Sequence, residues 1–333
     1  MTCRFCGDTF GPMSKINTAL GTIQAEQLGT TLMHEHMVIG YPGWDIDNVK
    51  SYLDLVELAE IVAAKLGEVK NFGVQTVIDA TPDDLGRNVE LNKIIANETG
   101  LNIICSTGKY MDHSDPGSQT DSREKTEVMV NALYDTFMRD ITVGIHDTGI
   151  RAGVIKVATS ESHIFPYEEI ALKAAARAQK ETGVPIITHT QEGTMGPEQA
   201  SLLLSEGADP RKVVIGHMCG NSDIEYQLAV LKQGVSVNFD RWGLDILYPD
   251  DLRKATLVEL VNRGFADRIV LSHDHIAHWL TPQPELPEFA RQLIVNWSYT
   301  HIFDNIVPLL KQSGISEGQL NQILVENPRR IFE

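Results

Sequence analysis

Basic residues are scarce in this chain: 28 Lys and Arg stand against 45 Asp and Glu in 333 residues, a formal net charge of −17. That deficit argues against nucleic acid, whose affinity rests on Lys and Arg meeting phosphates. It equally disfavours an anionic membrane surface. No apolar run approaches the ~18 residues of a membrane span, and no basic-then-apolar leader opens the sequence. A soluble, cytoplasmic protein is therefore expected. Cysteine is sparse too, with four residues in all. Cys3 and Cys6 form a lone Cys-x-x-Cys without the second pair that a tetrahedral zinc site needs, and read as exposed thiols on an N-terminal arm. Cys105 and Cys219 lie in or just after apolar runs, where cysteine acts as a small hydrophobe, so a reducing compartment is inferred. Also missing are a Pro/Gly/Ser-rich linker and any Gly-x-Gly-x-x-Gly fingerprint after a strand. One domain is expected, with residues 1–20 as an arm and 21–333 as the body. Neutral or weakly polar small molecules remain the easiest partners.

What is present is a repeated grammar, in a chain whose 42% apolar content supports a large core. Short β-branched runs alternate with longer segments of helical periodicity. The expected strands are Thr31–Val38, Val74–Thr81, Asn102–Tyr110, Gly153–Thr159, Val184–Thr190, Val213–Met218, Val235–Asp240 and Arg268–His275. Between the first two, Tyr52, Leu55, Val56, Ala59, Val62, Ala63 and Leu66 recur at helical spacing. After the fourth, Pro166 opens a helix and Gly183 closes it. Strands separated by helices, without hairpin turns, imply a parallel sheet. Eight such units predict an α/β fold of the (β/α)8 TIM-barrel type; a doubly wound open sheet is the alternative. Pro282–Glu288 falls in a long segment after the last strand, where a functional or disordered loop is expected.

Six polar residues interrupt the apolar strands: His34 and His36 on the first, Lys156 on the fourth, His189 on the fifth, His217 on the sixth and Asp274 on the eighth. Period-two geometry sets His34 and His36 on one face, shared with Leu32 and Val38, and Glu35 on the other. Taken singly, each has an ordinary structural reading: a hydrogen-bonded strand-end histidine, a lysine paired with a carboxylate, an aspartate capping the next helix. Taken together they would project into one barrel mouth, where an uncompensated polar cluster is costly. A divalent cation resolves that cost, because imidazole and carboxylate are its ligands. Lys156 points to two ions. A protonated amine beside a cation is repulsive, but carboxylation by carbon dioxide turns it into an anion able to bridge two metals. His34, His36 and Asp274 would then hold the more buried ion, and His189 and His217 the more exposed one. Zinc, cobalt, manganese and iron all suit this donor set.

These residues resemble the phosphotriesterase family of the amidohydrolase superfamily. The likeness is carried by Thr-Leu-Met-His34-Glu-His36, by Asp-Thr-Gly-Ile-Arg-Ala-Gly-Val-Ile-Lys156-Val-Ala-Thr, and by Thr-Gly-Val-Pro-Ile-Ile-Thr-His189-Thr. Ile-Gly-His217, Leu-Ser-His-Asp274 and the closing Glu-Asn-Pro-Arg-Arg-Ile-Phe complete it. Within the family, Asp240-Arg241-Trp242-Gly243-Leu244-Asp245 is similar to the phosphotriesterase-like lactonases, and so is Thr-Gly-Lys-Tyr110 at the end of the third strand. Two features depart from that branch: Trp242 replaces a smaller aromatic, and His275-Ile-Ala-His-Trp279-Leu280 does not follow its pattern. The resemblance implies a homodimer that opens the ring of N-acyl-homoserine lactones, with weak activity on organophosphate triesters. A phosphotriesterase proper and a non-catalytic small-molecule binder are the rivals.

The chemistry so implied uses two ions about 3.5–4 Å apart, bridged by carboxylated Lys156 and by a hydroxide that attacks the lactone carbonyl. Asp274 would shuttle the proton to the departing ring oxygen. Tyr110 and Arg241 would orient the substrate, although Arg241 reads equally as a structural partner of Asp240 or Asp245. Trp242, Trp279 and Leu280 would line an acyl-chain channel or simply pack the rim. His273 and His275 should turn away from the ions, and His113, His146, His163, His278 and His301 should carry no chemistry. Asp79 either supports a ligand histidine or forms a strand-end hydrogen bond.

Overall fold

The computed structural model describes residues 15–41, 44, 54–111, 123–283 and 285–333, the side chains of 123–125 excepted. Cys3, Cys6, Tyr52, His113 and most of the expected arm lie outside the described residues. Strands β1 (Lys15–Thr18) and β2 (Gly21–Gln24) pair antiparallel. Asn17 ties this hairpin down by donating to the carbonyls of Ile141 at 3.1 Å and Ala152 at 2.9 Å.

There follow β3 (Thr30–Ile39), β4 (Val74–Asp79), β5 (Asn102–Gly108), β6 (Val154–Thr159), β7 (Ile186–Thr190), β8 (Val213–Ile215) and β9 (Ser236–Phe239). Each pairs in parallel with the next. The last expected strand comes in two pieces, β10 (Ile269–Leu271) and β11 (Ile276–Trp279). β10 pairs with β9 and β11 with β3, so both edges of one parallel sheet meet on a single stretch of chain. Within the interruption, the Asp274 N–H donates to His34 O at 3.1 Å and the His36 N–H to His275 O at 2.9 Å. The sheet is curled, consistent with a TIM barrel.

A helix follows each of β3 to β9: α1 (Leu55–Gly67), α2 (Val89–Thr99), α3 (Arg123–Thr142), α4 (Pro166–Thr182), α5 (Gly196–Ser205), α6 (Ile224–Leu231) and α7 (Asp250–Asn262). In α1 the Asp54 carboxylate caps the N–H groups of Val56 and Glu57, and Leu58, Ala59, Val62 and Leu66 form the buried stripe. Pro166 occupies the first turn of α4, and Gly183 ends it at φ 72°. No helix among the described residues is long and apolar enough to cross a membrane.

Alternation along the strands sorts the core into two layers. Met33, Ile78, Ile104, Val154, Ile187, Val214 and Val270, one each from β3 to β8 and from β10, pack together inside the curl. Ile103, Ile155, Val157, Ile215 and Val237 face outward onto the helices. Lys156 and His189 lie two residues beyond Val154 and Ile187 and share the inward face. The first strand departs from the expected alternation. Its register skips between Leu32 and Glu35, three residues advancing against two from Val77 to Asp79. Such a bulge turns two consecutive residues to one side. Leu32 accordingly packs in the outer layer and Met33 takes the inner place; Val38, beyond the bulge, packs with the outer cluster too, so neither lies beside the two histidines.

Candidate metal centre

Six residues on or just after the strands converge inside the curled sheet. His34 and His36 come from β3, Lys156 from β6 and His189 from β7. His217 follows β8 and Asp274 lies between β10 and β11; both take left-handed backbone, at φ 57° and 53°. All six are buried or nearly so; His36 and His189 are each 3% exposed, and the Asp274 side chain, at 14%, opens furthest to solvent.

Hydrogen-bond partners outside this ring fix which nitrogen of each imidazole carries its proton. His34 Nδ1 and His217 Nδ1 each lie 2.9 Å from a separate oxygen of Asp240, so one carboxylate holds both rings. His36 Nδ1 donates to Thr81 Oγ1 at 2.8 Å, and that hydroxyl donates to Asp79 Oδ1 at 2.6 Å. His189 Nε2 donates to Gln191 Oε1 at 2.8 Å. The remaining nitrogens therefore carry lone pairs, and all point to the centre. His217 Nε2 and His189 Nδ1 face each other at 2.8 Å. His36 Nε2 lies 3.1 Å, and His34 Nε2 3.5 Å, from Asp274 Oδ1.

Lone pairs opposed at such distances repel unless a proton or a cation lies between them. Burial, reinforced by Lys156, lowers the His34 pKa to about 3. Burial also takes His189 and His217 down, helped by the His217 and Arg241 charges in the first case and by Arg241 in the second. Protons are thus disfavoured at the positions where positive charge is wanted. For Asp274, burial raises the carboxyl pKa, but His217, His36, His34 and Arg241 together outweigh it and keep the group ionised. Neutral imidazoles and a carboxylate converging in this way form a donor set for divalent cations. Donor atoms of His34, His36 and Asp274 fall within 4.8 Å of one another, as do those of His34, His217 and Asp240. In the second group both Asp240 oxygens already face ring N–H groups, so Asp240 orients ligands.

Lys156 Nζ sits 2.5 Å from His34 Nε2. Burial lowers its pKa to about 8, with Asp274 and Asp240 pulling the other way. Arg241 donates through Nε to Asp274 Oδ2 at 3.0 Å, so its partner is neither Asp240 nor Asp245. Tyr110 sets its ring edge-on to His189, with centroids 5.0 Å apart. Burial, together with Tyr41, raises the Tyr110 pKa and keeps the phenol protonated.

Beside Arg241 and Asp274 lies a cleft of about 360 Å³, walled by Leu244, Ile246, Leu247, Ile276, Trp279 and Trp297 among others. Trp279 is thus on the wall. Trp242 is not: it is fully buried behind the wall, with its ring 6.5 Å from Phe239. Leu280 packs over Gly86 and is 8% exposed. His273 and His275 do turn away, although not by alternation, since the strand is broken there. His273 bonds Glu35, and His275 packs edge-on against Trp297 and Tyr299. His301 holds Asp250 at 2.8 Å.

Sequence reasoning missed Asp240 as the shared support of two histidines. An acid closing an apolar strand is its only signal in the sequence, and that signal fits a partner of Arg241 just as well. Asp79 does support His36, through Thr81 as intermediary.

Residues 14–332 match the model of the phosphotriesterase family. A phosphotriesterase homology protein of Mycobacterium tuberculosis is 38% identical over 330 residues, covering 96% of this chain and 98% of its own. Among solved structures, the organophosphorus hydrolase from Deinococcus radiodurans superposes with a TM-score of 0.90 at 43% identity, covering 98% of this chain and all of that one. A mutant described as a Deinococcus radiodurans PTE-like lactonase gives 0.88 at 42% identity, covering 96% and 100%.

Proposed function

The chain belongs to the phosphotriesterase family, and from that premise we propose that it is a dinuclear metal-dependent hydrolase on a closed (β/α)8 barrel that opens the ring of N-acyl-homoserine lactones. Quorum quenching is the role that activity implies, and weak phosphotriester hydrolysis accompanies it. His34, His36 and Asp274 would hold one ion, and His189 and His217 the other. Lys156 would bridge them after carboxylation; burial favours that step, because the neutral amine is the form that takes up carbon dioxide. Zinc heads the candidates, with cobalt, manganese and iron behind it. When bound, the ions supply Lewis acidity toward a carbonyl oxygen and lower the pKa of water toward neutrality.

The chain's own residues do the rest. Arg241 Nε holds Asp274 Oδ2 at 3.0 Å, leaving Oδ1 turned toward the centre. Asp274 takes the proton of the attacking water and delivers it to the departing ring oxygen. The Tyr110 phenol, kept protonated beside His189, would donate to the lactone. Trp279 and Leu244 exclude water around the acyl chain.

One observation carries the choice of substrate: the cleft that meets Asp274 and Arg241 is walled mainly by apolar side chains. Its one cation among the described lining residues, Arg241, is already paired with Asp274, so the wall favours an uncharged, amphiphilic ligand. The test compares kcat/KM for acyl-homoserine lactones of several chain lengths with that for a dialkyl aryl phosphotriester, with metal content measured on the same preparation. Lactones should be preferred by at least an order of magnitude. A reversed preference makes the protein a phosphotriesterase, and no turnover of either class by metal-loaded protein makes it a binder.

A further inference from the structure

Glu35 stands between the two site histidines of β3 and faces the other side of the sheet. It is fully buried, and both of its oxygens engage a single segment of chain. Oε1 accepts from the Ser272 hydroxyl at 2.8 Å, from the His273 N–H at 2.9 Å and from His273 Nδ1–H at 2.8 Å. Oε2 accepts from the His275 N–H at 2.9 Å. A buried carboxylate without a facing cation is tolerated only when donors surround it. Here four donors do so, and all belong to residues that flank Asp274.

Those residues make up the interruption between β10 and β11. In an unbroken strand, backbone donors of this segment would enter the sheet ladder; at 273 and 275 they turn instead to Glu35. Asp274, held between them, adopts φ 53°, a conformation that a residue with a Cβ keeps only under constraint. The constraint is anchored at both ends. Ser272 Oγ also accepts the His34 N–H at 2.8 Å, which couples the segment back to the site. His273 Nε2 accepts the Ile302 N–H at 3.1 Å, which couples it to the helical C-terminal region. The Trp297 indole adds a bond to His273 O at 3.0 Å.

We propose that Glu35 is a positioning residue: its carboxylate holds the break in the eighth strand open, in the geometry that aims Asp274 at His34 and His36. The proposal rests on Asp274 being a metal ligand, as read above. It accounts for features that the site alone leaves unexplained, namely the split strand, the left-handed Asp274 and an acid buried behind the sheet. The alternative is that Glu35 is an internal strut, needed for folding and indifferent to where Asp274 points.

Glu35→Gln separates these. The amide conserves volume but offers an acceptor at only one of its two terminal atoms. With the oxygen kept where three donors converge, the NH2 group falls opposite the His275 N–H and opens the contact next to Asp274. Wild type and variant are stripped with chelator and titrated with Co2+, followed by the visible absorption of the cobalt protein; kcat and KM are measured on the reloaded enzymes. A positioning role predicts a ~10–100-fold loss of Co2+ affinity and an altered cobalt spectrum. It also predicts a fall in kcat of similar size with KM unchanged. Glu35→Asp, which keeps the charge but retracts it by one methylene, should fall between the two.

If Glu35→Gln does not fold, the Glu35→Asp titration decides: weakened affinity supports the proposal, and wild-type affinity with a wild-type spectrum overturns it. A Glu35→Gln protein that melts earlier yet binds cobalt as wild type also overturns it, in favour of the strut. Should the wild type hydrolyse no lactone, the substrate reading fails while the cobalt titration still reports on Glu35.

Discussion

On the side of the site built from β3 and the interrupted eighth strand, the groups aimed at the centre have a buried polar support behind them. Asp240 holds His34 and His217, Thr81 and Asp79 hold His36, and Glu35 holds the segment around Asp274. Beside it, where the loops at 241–249 and 285–298 meet the cleft, the wall is apolar and main-chain contacts keep it in place. There Gly243, at φ 87°, packs on the backbone of Asn296 and Trp297, and the Ile246 N–H donates to Leu293 O at 3.2 Å. The contrast has a physical source. Chemistry needs fixed charges, and a buried hydrogen-bonded support restrains an imidazole far better than packing does. An apolar ligand needs only a dry surface of suitable width, which apolar side chains on loops provide. Damage to the first side should therefore appear in kcat and metal affinity, and damage to the second in KM and chain-length preference.

Lys156→Met is the most severe test of that division. On the two-ion proposal, losing the Lys156 bridge removes several kcal/mol of transition-state stabilisation, a fall in kcat on the order of 10³. Elemental analysis should show fewer metal equivalents per chain, and full activity in the variant would remove the two-ion reading. Asp240→Asn comes next. It leaves an acceptor for only one of His34 and His217, sets an NH2 against the N–H of the other ring, and should lower kcat or metal affinity ~10–100-fold with KM unchanged.

Acid separates the two sides in another way. The His34 pKa of about 3 lies below its ordinary 6.5, so the unfolded chain binds the extra proton first as pH falls. The contribution of such a histidine is complete above pH 6.5 and declines through the window from 6.5 to 3, by about 2 kcal/mol at pH 5. Urea unfolding of chelated protein at pH 7, 6 and 5 reads this directly. Stability that is flat across the range would mean that these rings are not held neutral.

The smallest effect is expected on the loop side. A Cβ at Gly243 would lie 2.6 Å from Asn296 O, so Gly243→Ala must shift one loop against the other. We expect about 1–2 kcal/mol of lost stability, a KM that rises most for long-chain lactones, and a kcat near wild type. An equal effect across chain lengths would break the assignment of the cleft to the acyl chain.

The six converging residues are legible because each is a polar side chain interrupting or closing an apolar run, most of them toward its C-terminal end. Period two put His34 and His36 on one face, and the structure agrees. The same rule failed for Leu32, because a bulge cannot be seen from one strand alone. It failed again at strand eight, where sequence showed one run and the chain makes two. Trp242 looked like a wall residue by its neighbours Arg241 and Leu244, yet the turn at Gly243 sends it into the core. Asp240 and Glu35 were passed over because a buried carboxylate declares its role only through donors distant in sequence, 206 positions away for His34 and 238 for His273.

Local pattern alone settled the alternation of strand and helix, the inward row of imidazoles and the family, since these depend on short-range periodicity and on residue types at fixed spacing. Which carboxylate stands behind which ring, where the eighth strand breaks and which aromatic faces the cleft were decided by folding. Those depend on closing the sheet upon itself, which brings together groups that no reading along the chain sets side by side.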